Sequence, residues 1–355
     1  MTIGRVLLLS FVLASVSRKN IRVEFMNNEV LCIGELLIDF ICSDVDVRLA
    51  EGEHFVKKAG GAPANVAVTL SQLGAKSYFA GKVGADAFGV FLEETLRERG
   101  VDTRMLVQDP RYSTTLAFVS LDQQGERDFM FNRGADAYHS LEELDHAVIR
   151  RCGIFHFGSA VALLGGPTKA TYLQLLEQAK TTGKFVSFDP NYRADLWKDS
   201  ALDFDLEVLP LLEGVQFLKV SEEELQRLTG DFVLESAVEK LHGFGAGIIA
   251  VTRGSEGAYV SSGEQRAFVD SVKIKSVDST GAGDAFVGGF LYGVAQRFEA
   301  WSEDCTEKYP EELLKSFESV VELTKFANVV GALVCTKLGA MEAIPRLEEV
   351  LANMK

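Results

Sequence analysis

From Gly153 onward the chain alternates short apolar runs with stretches of helical spacing, and that rhythm leaves few folds open. Ile154-Phe155-His156-Phe157-Gly158, Phe185-Val186-Ser187-Phe188-Asp189, Val215-Gln216-Phe217-Leu218-Lys219 and Ile248-Ile249-Ala250-Val251-Thr252 read as buried strands. Thr168 to Lys180 and Glu222 to Leu228 read as the helices between them. Strands separated by helices run parallel, and right-handed crossovers put helices on both faces of the sheet. The fold class is therefore α/β: a three-layer α/β/α sandwich with a mostly parallel central sheet. Val30 to Gly34 and Ser77 to Gly81 add strands upstream, and Ala87 to Arg99 adds a helix that stops before Gly100.

Two stretches fall outside the rhythm. Phe40 to Lys58 alternates loosely, broken at Gly52, as extended strands do. Thr114 to Leu121 and Asp128 to Phe131 flank Asp122-Gln123-Gln124-Gly125-Glu126, a hairpin with Gly in its loop. These strands form either an ordinary meander or a small sheet that closes over a site. Such a lid suits a reaction that must exclude water.

The richest stretch chemically is Val277-Asp278-Ser279-Thr280-Gly281-Ala282-Gly283-Asp284, which opens onto an apolar run through Ala295. A glycine turn at a helix start presents unpaired N–H groups and a partial positive charge, a ready anion site. Its glycines let the backbone approach a phosphate closely. Asp284 in the first helical turn has two readings. It caps the helix, or it is a general base that takes a proton from an attacking hydroxyl while the amides hold the phosphoryl charge.

A second glycine cluster, Gly60-Gly61-Ala62-Pro63-Ala64-Asn65, precedes a helical run to Gly74, with Pro at its start and Gly at its stop. Asn65 both donates and accepts, as a sugar hydroxyl does. Polar residues also recur at strand ends, where open α/β sheets bind ligands. Glu35 and Asp39 follow one strand, Asp189-Pro190-Asn191-Tyr192-Arg193 another, and Ser221-Glu222-Glu223-Glu224 a third. The Asp-Pro-Asn run is explained by turn chemistry alone, and Ser221 with three acids makes a sound helix start.

Composition closes off other classes. The formal net charge is −15, which argues against a nucleic-acid surface and means an anionic substrate needs a local positive site. Cys32, Cys42, Cys152, Cys305 and Cys335 lack Cys-x-x-Cys spacing, so they read as reduced thiols in a cytosol-like compartment. His54, His139, His146, His156 and His242 show no metal spacing. Neither a P-loop nor a dinucleotide-binding fingerprint occurs. The apolar run Val6 to Ala14 is too short to span a bilayer and resembles a signal-peptide core. Residues 1–28 are read as a disordered or leader-like extension, with cytoplasmic placement, or an organelle stroma if the extension is a leader.

The two glycine clusters, in this order, match the N-terminal and C-terminal signatures of the ribokinase-like (PfkB) carbohydrate kinases, and the resemblance covers residues 29 to 346. Gly34-Glu35-Leu36-Leu37-Ile38-Asp39-Phe40, Phe129-Met130-Phe131, Asp189 to Arg193 and Lys219 to Glu224 look most like the fructokinase branch. The resemblance implies the ribokinase-like fold with a β-sheet lid from about 36–58 and 112–133, a C-terminal tail at 347–355, and a possible homodimer through the lid. It implies ATP-dependent phosphorylation of D-fructose to fructose 6-phosphate, with Asp284 as base and the Gly281, Ala282 and Gly283 amides as the anion hole. Asp39, Gly60, Gly61, Asn65, Arg133 and Arg193 would face the sugar. Lys219, Thr252, Gly254, Gly257, Gly281, Gly283 and Asn328 would face ATP. Glu224 would organise Mg2+ through water, although Ser221 stands where the family usually has Asn. Asp278, with nearby carbonyls, would hold a monovalent cation such as K+. Kinases of ribose, nucleosides or 2-keto-3-deoxygluconate, and a fructokinase-like scaffold without catalysis, are the alternatives. The intact Gly281, Gly283 and Asp284 speak against the scaffold.

Overall fold

A computed structural model of the chain describes residues 27–44, 46–121, 127–197, 203–302 and 316–354. The signal-like run at 6–14, the hairpin loop at 122–126 and residues 303–315 lie outside the described residues.

The first half runs β1 (Asn27–Ile33), β2 (Leu37–Cys42), β3 (Phe55–Gly60), α1 (Ala62–Gln72), β4 (Ser77–Gly84), α2 (Ala87–Glu98), β5 (Leu106–Asp109), β6 (Leu116–Leu121) and β7 (Arg127–Asn132). The chain continues through α3 (His146–Arg151), β8 (Cys152–Phe157), α4 (Pro167–Thr181), β9 (Phe185–Phe188), α5 (Ala194–Trp197), α6 (Phe204–Val208), β10 (Phe217–Ser221), α7 (Glu222–Thr229) and α8 (Leu234–Gly243). It ends with β11 (Ile248–Thr252), β12 (Ala258–Ser262), β13 (Gln265–Val269), α9 (Ala282–Ser302), α10 (Phe317–Val334) and α11 (Leu347–Asn353).

Nine strands form the central sheet in the order β13-β12-β11-β10-β9-β8-β1-β4-β5. From β11 to β5 every pairing is parallel. Because both faces are covered, the strands are apolar at successive residues, and odd and even positions enter different cores. Cys32, Phe79, Ile154, Phe185, Phe217 and Ile248 pack on one face with residues of α1, α9 and α10. Leu31, Ile33, Phe155, Val186, Leu218 and Ile249 pack on the other with residues of α4, α7 and α8.

The lid is a second sheet, in the order β3-β2-β6-β7. One of its faces carries Phe40, stacked on Phe118 and edge-on to Phe88 of α2. The register pairs Asp39 with Lys58 and Ala117, and Ile41 with Val56 and Val119, so these residues share the opposite face. The lid is rooted in the body by polar contacts. Asp86, which caps α2, also accepts from the N–H and hydroxyl of Thr114 (2.8 and 2.7 Å), and Thr115 donates to buried Asp136.

Several elements differ from the sequence reading. β12 and β13 form an antiparallel hairpin at the sheet edge that the alternation gave no sign of, since one strand is half exposed. α9 runs on through Ser302, beyond Ala295, where the apolar run of the sequence ends. Residues 347–353, read as tail, are helical, because Val350 is buried in the core.

Candidate active site

β1 lies between β4 and β8, so the chain turns away in both directions from the β1/β8 seam, and the crevice at the carboxyl ends there is the natural ligand site. Glu35 and Ser159 follow β1 and β8, Asp189 follows β9, and Lys219 and Ser221 end β10. α9 begins just across from them. Gly281 makes its turn at φ +80°, and a Cβ there would lie 2.8 Å from the Cβ of Ala340. The N–H of Ala282 already donates to the Ser279 carbonyl (3.2 Å), so the turn itself consumes one of the three amides expected to hold an anion.

Asp284 is buried one residue further into this helix. Asn65 of α1 donates from Nδ2 to Oδ2 (2.7 Å), and Asn191 donates from Nδ2 to Oδ1 (3.4 Å). Both amide oxygens, Oδ1 of Asn65 and of Asn191, are buried without a partner. Two donors thus hold the carboxylate, and two free acceptors beside it suit a polyhydroxy ligand. Burial pushes the Asp284 carboxyl above the usual range, and Asp189 pushes the same way. The Asn65 hydrogen bond and the charges of Arg193 and Lys219 oppose that shift.

Lys219 is the central cation. Its Nζ lies 3.1 Å from Asp189 and 4.0 Å from Glu224, and a Cβ on Gly283 would come within 3.1 Å of it. Burial acts to lower its pKa, but the carboxylates of Asp189, Glu224 and Asp284 outweigh that and hold it raised. Glu224 completes a capping box with Ser221 and also accepts from the N–H of Tyr192 (2.7 Å), which joins the α7 start to the turn after β9. In that turn Asn191 takes φ +48°, a left-handed conformation that Asn tolerates. Arg193 beside it is exposed, and its charge reaches both Asp39 and Asp284. Burial raises Asp39 to about 6, against the pull of Arg193.

The other candidates have contacts of their own. Gly60 leaves room for Asp39, whose Oδ2 would be 2.0 Å from a Cβ there, and Gly61 opens α1 at φ +119°. Arg133 pairs with Asp136 (3.1 Å) and donates to the Gly165 carbonyl (3.2 Å), so it fastens the lid root. Thr252 ends β11, and Gly254 and Gly257 frame a turn whose Arg253 pairs with Glu222 (2.7 Å). Asn328 is buried and donates to the carbonyls of Val269 and Asp270 (2.8 and 3.3 Å). Asp278 accepts from Thr280 and from the N–H of Gly339 (2.9 Å), which binds the helix-opening loop to the loop after α10. Asp189 and Asn191 are missing from the sequence's site residues. Their turn chemistry was visible, but not their partners.

Residues 27–347 match the model of the pfkB family carbohydrate kinases. The chain is 40% identical to Fructokinase-1 of Oryza sativa subsp. japonica over 329 residues, which covers 92% of this chain and 97% of that protein. A fructokinase from Xylella fastidiosa, solved with bound ATP, superposes with a TM-score of 0.82 at 32% identity, covering 93% of this chain and 98% of that one. A fructokinase from Vibrio cholerae O395, solved with fructose, ADP and calcium ion, superposes at 0.78 and 31% identity, covering 94% and 100%. The fold agrees with these likenesses, and the chain belongs to the pfkB family of carbohydrate kinases.

Proposed function

We propose that the chain is an ATP-dependent fructokinase in which Asp284 is the base. The observation that carries this reading is one buried carboxylate, gripped by Asn65 and Asn191, at the mouth of a glycine-opened helix. Asp284 takes the proton of the fructose 6-hydroxyl. The sugar oxygen bonds to the γ-phosphorus, the bond to the β,γ-bridging oxygen breaks, and ADP leaves. The amides at Gly281 and Gly283 and the helix dipole hold the charge of the transferring group. Positioning of the two reactants supplies most of the acceleration.

Asp39 and the free amide oxygens of Asn65 and Asn191 receive the sugar hydroxyls. Arg193, exposed between Asp39 and Asp284, offers the local positive charge that an anionic nucleotide needs on a chain of net charge −15. The lid sheet closes over the sugar. Asn328 acts on the nucleotide side through the main chain at Val269 and Asp270 that it fixes.

Among the described residues no group of three or more His, Cys, Asp or Glu side chains is arranged to hold a metal. That suits Mg2+, which keeps its waters and takes most of its ligands from phosphate oxygens. Both Glu224 oxygens already accept a main-chain N–H, at 2.7 Å each, so Glu224 would hold the ion through water. When bound, the ion neutralises phosphate charge. Asp278 fixes the loop whose carbonyls would take K+. The lid face shared by Asp39, Ile41 and Val56 leaves Ile41 and Val56 more than 40% exposed, a surface fit for a second copy. No described helix is long and apolar enough to cross a membrane, and the need for ATP supports placement in the cytoplasm, or in an organelle stroma if residues 1–28 are a leader.

The test is a coupled ADP-release assay over fructose, ribose, nucleosides and 2-keto-3-deoxygluconate. Fructose is expected to give the highest kcat/KM. Turnover of another sugar and none of fructose would overturn the substrate, and no turnover of any sugar would overturn the reaction.

A further inference from the structure

Glu35 is buried, ionisable and unused by the chemistry above. It sits where the chain leaves β1 for the lid, between Gly34 and Leu36. Its side chain reaches two other segments of the body. Oε1 accepts from the N–H of Ala62 (3.3 Å), the first residue of α1, where the chain returns from the lid. Oε2 accepts from the hydroxyl of Ser159 (2.5 Å), in the loop after β8. Ser159 Oγ in turn accepts from the N–H groups of Val161 and Ala162 (3.3 and 2.8 Å), so its proton is committed to Glu35. Asp136, in the segment that follows lid strand β7, is a like charge that pushes on Glu35.

The backbone around it leaves no slack. A Cβ on Gly34 would lie 2.7 Å from Pro63 and 2.8 Å from Ser159, and one on Gly61 would lie 2.3 Å from the carbonyl oxygen of Glu35. Asn65 is one turn into α1, with its N–H on the Gly61 carbonyl (2.9 Å) and its amide on Asp284 (2.7 Å). A displacement at residues 61–62 therefore reaches the catalytic acid through a single helical turn.

We propose that Glu35 is a positioning residue that clasps the α1 start to the loop after β8 and so sets where Asn65 holds Asp284 and the sugar. Both hydrogen bonds need an acceptor at Glu35, and an amide in its place would aim N–H at a serine oxygen that already receives two donors. The proposal rests on the sugar-kinase reading above.

The experiment is steady-state kinetics of the full chain on fructose and ATP for wild type, Glu35→Gln, Ser159→Ala and the double variant, with melting temperatures alongside. Glu35→Gln is expected to lower kcat/KM for fructose by about 10² while leaving the ATP KM within about a factor of two. Ser159→Ala should act in the same direction and more weakly, and the double variant should be less impaired than the product of the two, because they break one contact. A folded Glu35→Gln with unchanged fructose kinetics, or with both KM values raised equally, overturns the clasp. If Glu35→Gln does not fold, wild-type fructose kinetics in Ser159→Ala overturn it. A wild type that turns over no sugar removes the kinase reading and this proposal with it.

Discussion

At the scale of single residues, the site concentrates charge that water would otherwise hold. Asp284, Glu35 and Asp39 are each buried enough that desolvation raises their carboxyls, Glu35 to about 7 and Asp39 to about 6. The sign follows directly. A carboxyl whose folded pKa is raised binds its proton more readily when folded. Its stabilising contribution is complete below the unfolded pKa and disappears as pH rises through the folded one. Wherever Asp284 is ionised, its charge is thus held against stability. Asp284→Ala should reduce kcat by about 10²–10⁴, the usual worth of a general base, with the circular dichroism spectrum unchanged. In the wild type the acid limb of the kcat/KM profile should lie above the ordinary carboxylate range and report the coupled carboxyls together. The melting temperature of Asp284→Ala relative to wild type should rise as pH rises. Near-wild-type turnover in that variant would remove Asp284 from the mechanism.

At the scale of elements, α9 is the part on which precision depends. It carries the amides and Asp284 at one end, and its apolar body fixes where that end points. Phe290 lies flat on Phe217 of β10, with centroids 3.8 Å apart, so the helix registers against the strand that supplies Lys219. Both rings are fully buried. Phe290→Ala should cost about 3–5 kcal/mol by lost burial and the cavity left behind, read from the denaturation midpoint at constant slope. A loss under 1 kcal/mol would mean that α9 is positioned from elsewhere. The rhythm of apolar runs made α9, the βα units and the Gly60–Gly61 turn legible from the chain alone. The β12–β13 hairpin and α11 were not legible, because a half-exposed edge strand and a two-turn helix carry too few periodic residues to stand out.

At the scale of the whole molecule, the lid is a sheet with two faces of different purpose. One is seated on α2 through Phe40 and Phe88, and the other pairs Asp39 with apolar neighbours that no described element covers fully. If that surface receives a second copy, light scattering should give twice the chain mass, and Val56→Glu should give the monomer with its melting curve little changed. A monomeric wild type at micromolar concentration would end the dimer proposal. The lid also meets the body where Lys58 of β3 pairs with Glu342 (3.2 Å). That pair is exposed and of the kind worth less than about 1 kcal/mol, so it guides the lid without locking it.

The order of the chain determined the α/β class, the two glycine turns and the acid at the head of α9, because periodicity, helix punctuation and turn chemistry are properties of neighbouring residues. Only the folded chain decided what that acid meets. Asn65 is 219 positions away and Asn191 is 93 positions away, and they converge on Asp284 because α1 and the turn after β9 open onto one crevice. Hydrogen bonds over such separations depend on strand order and helix registry, which local preferences do not encode.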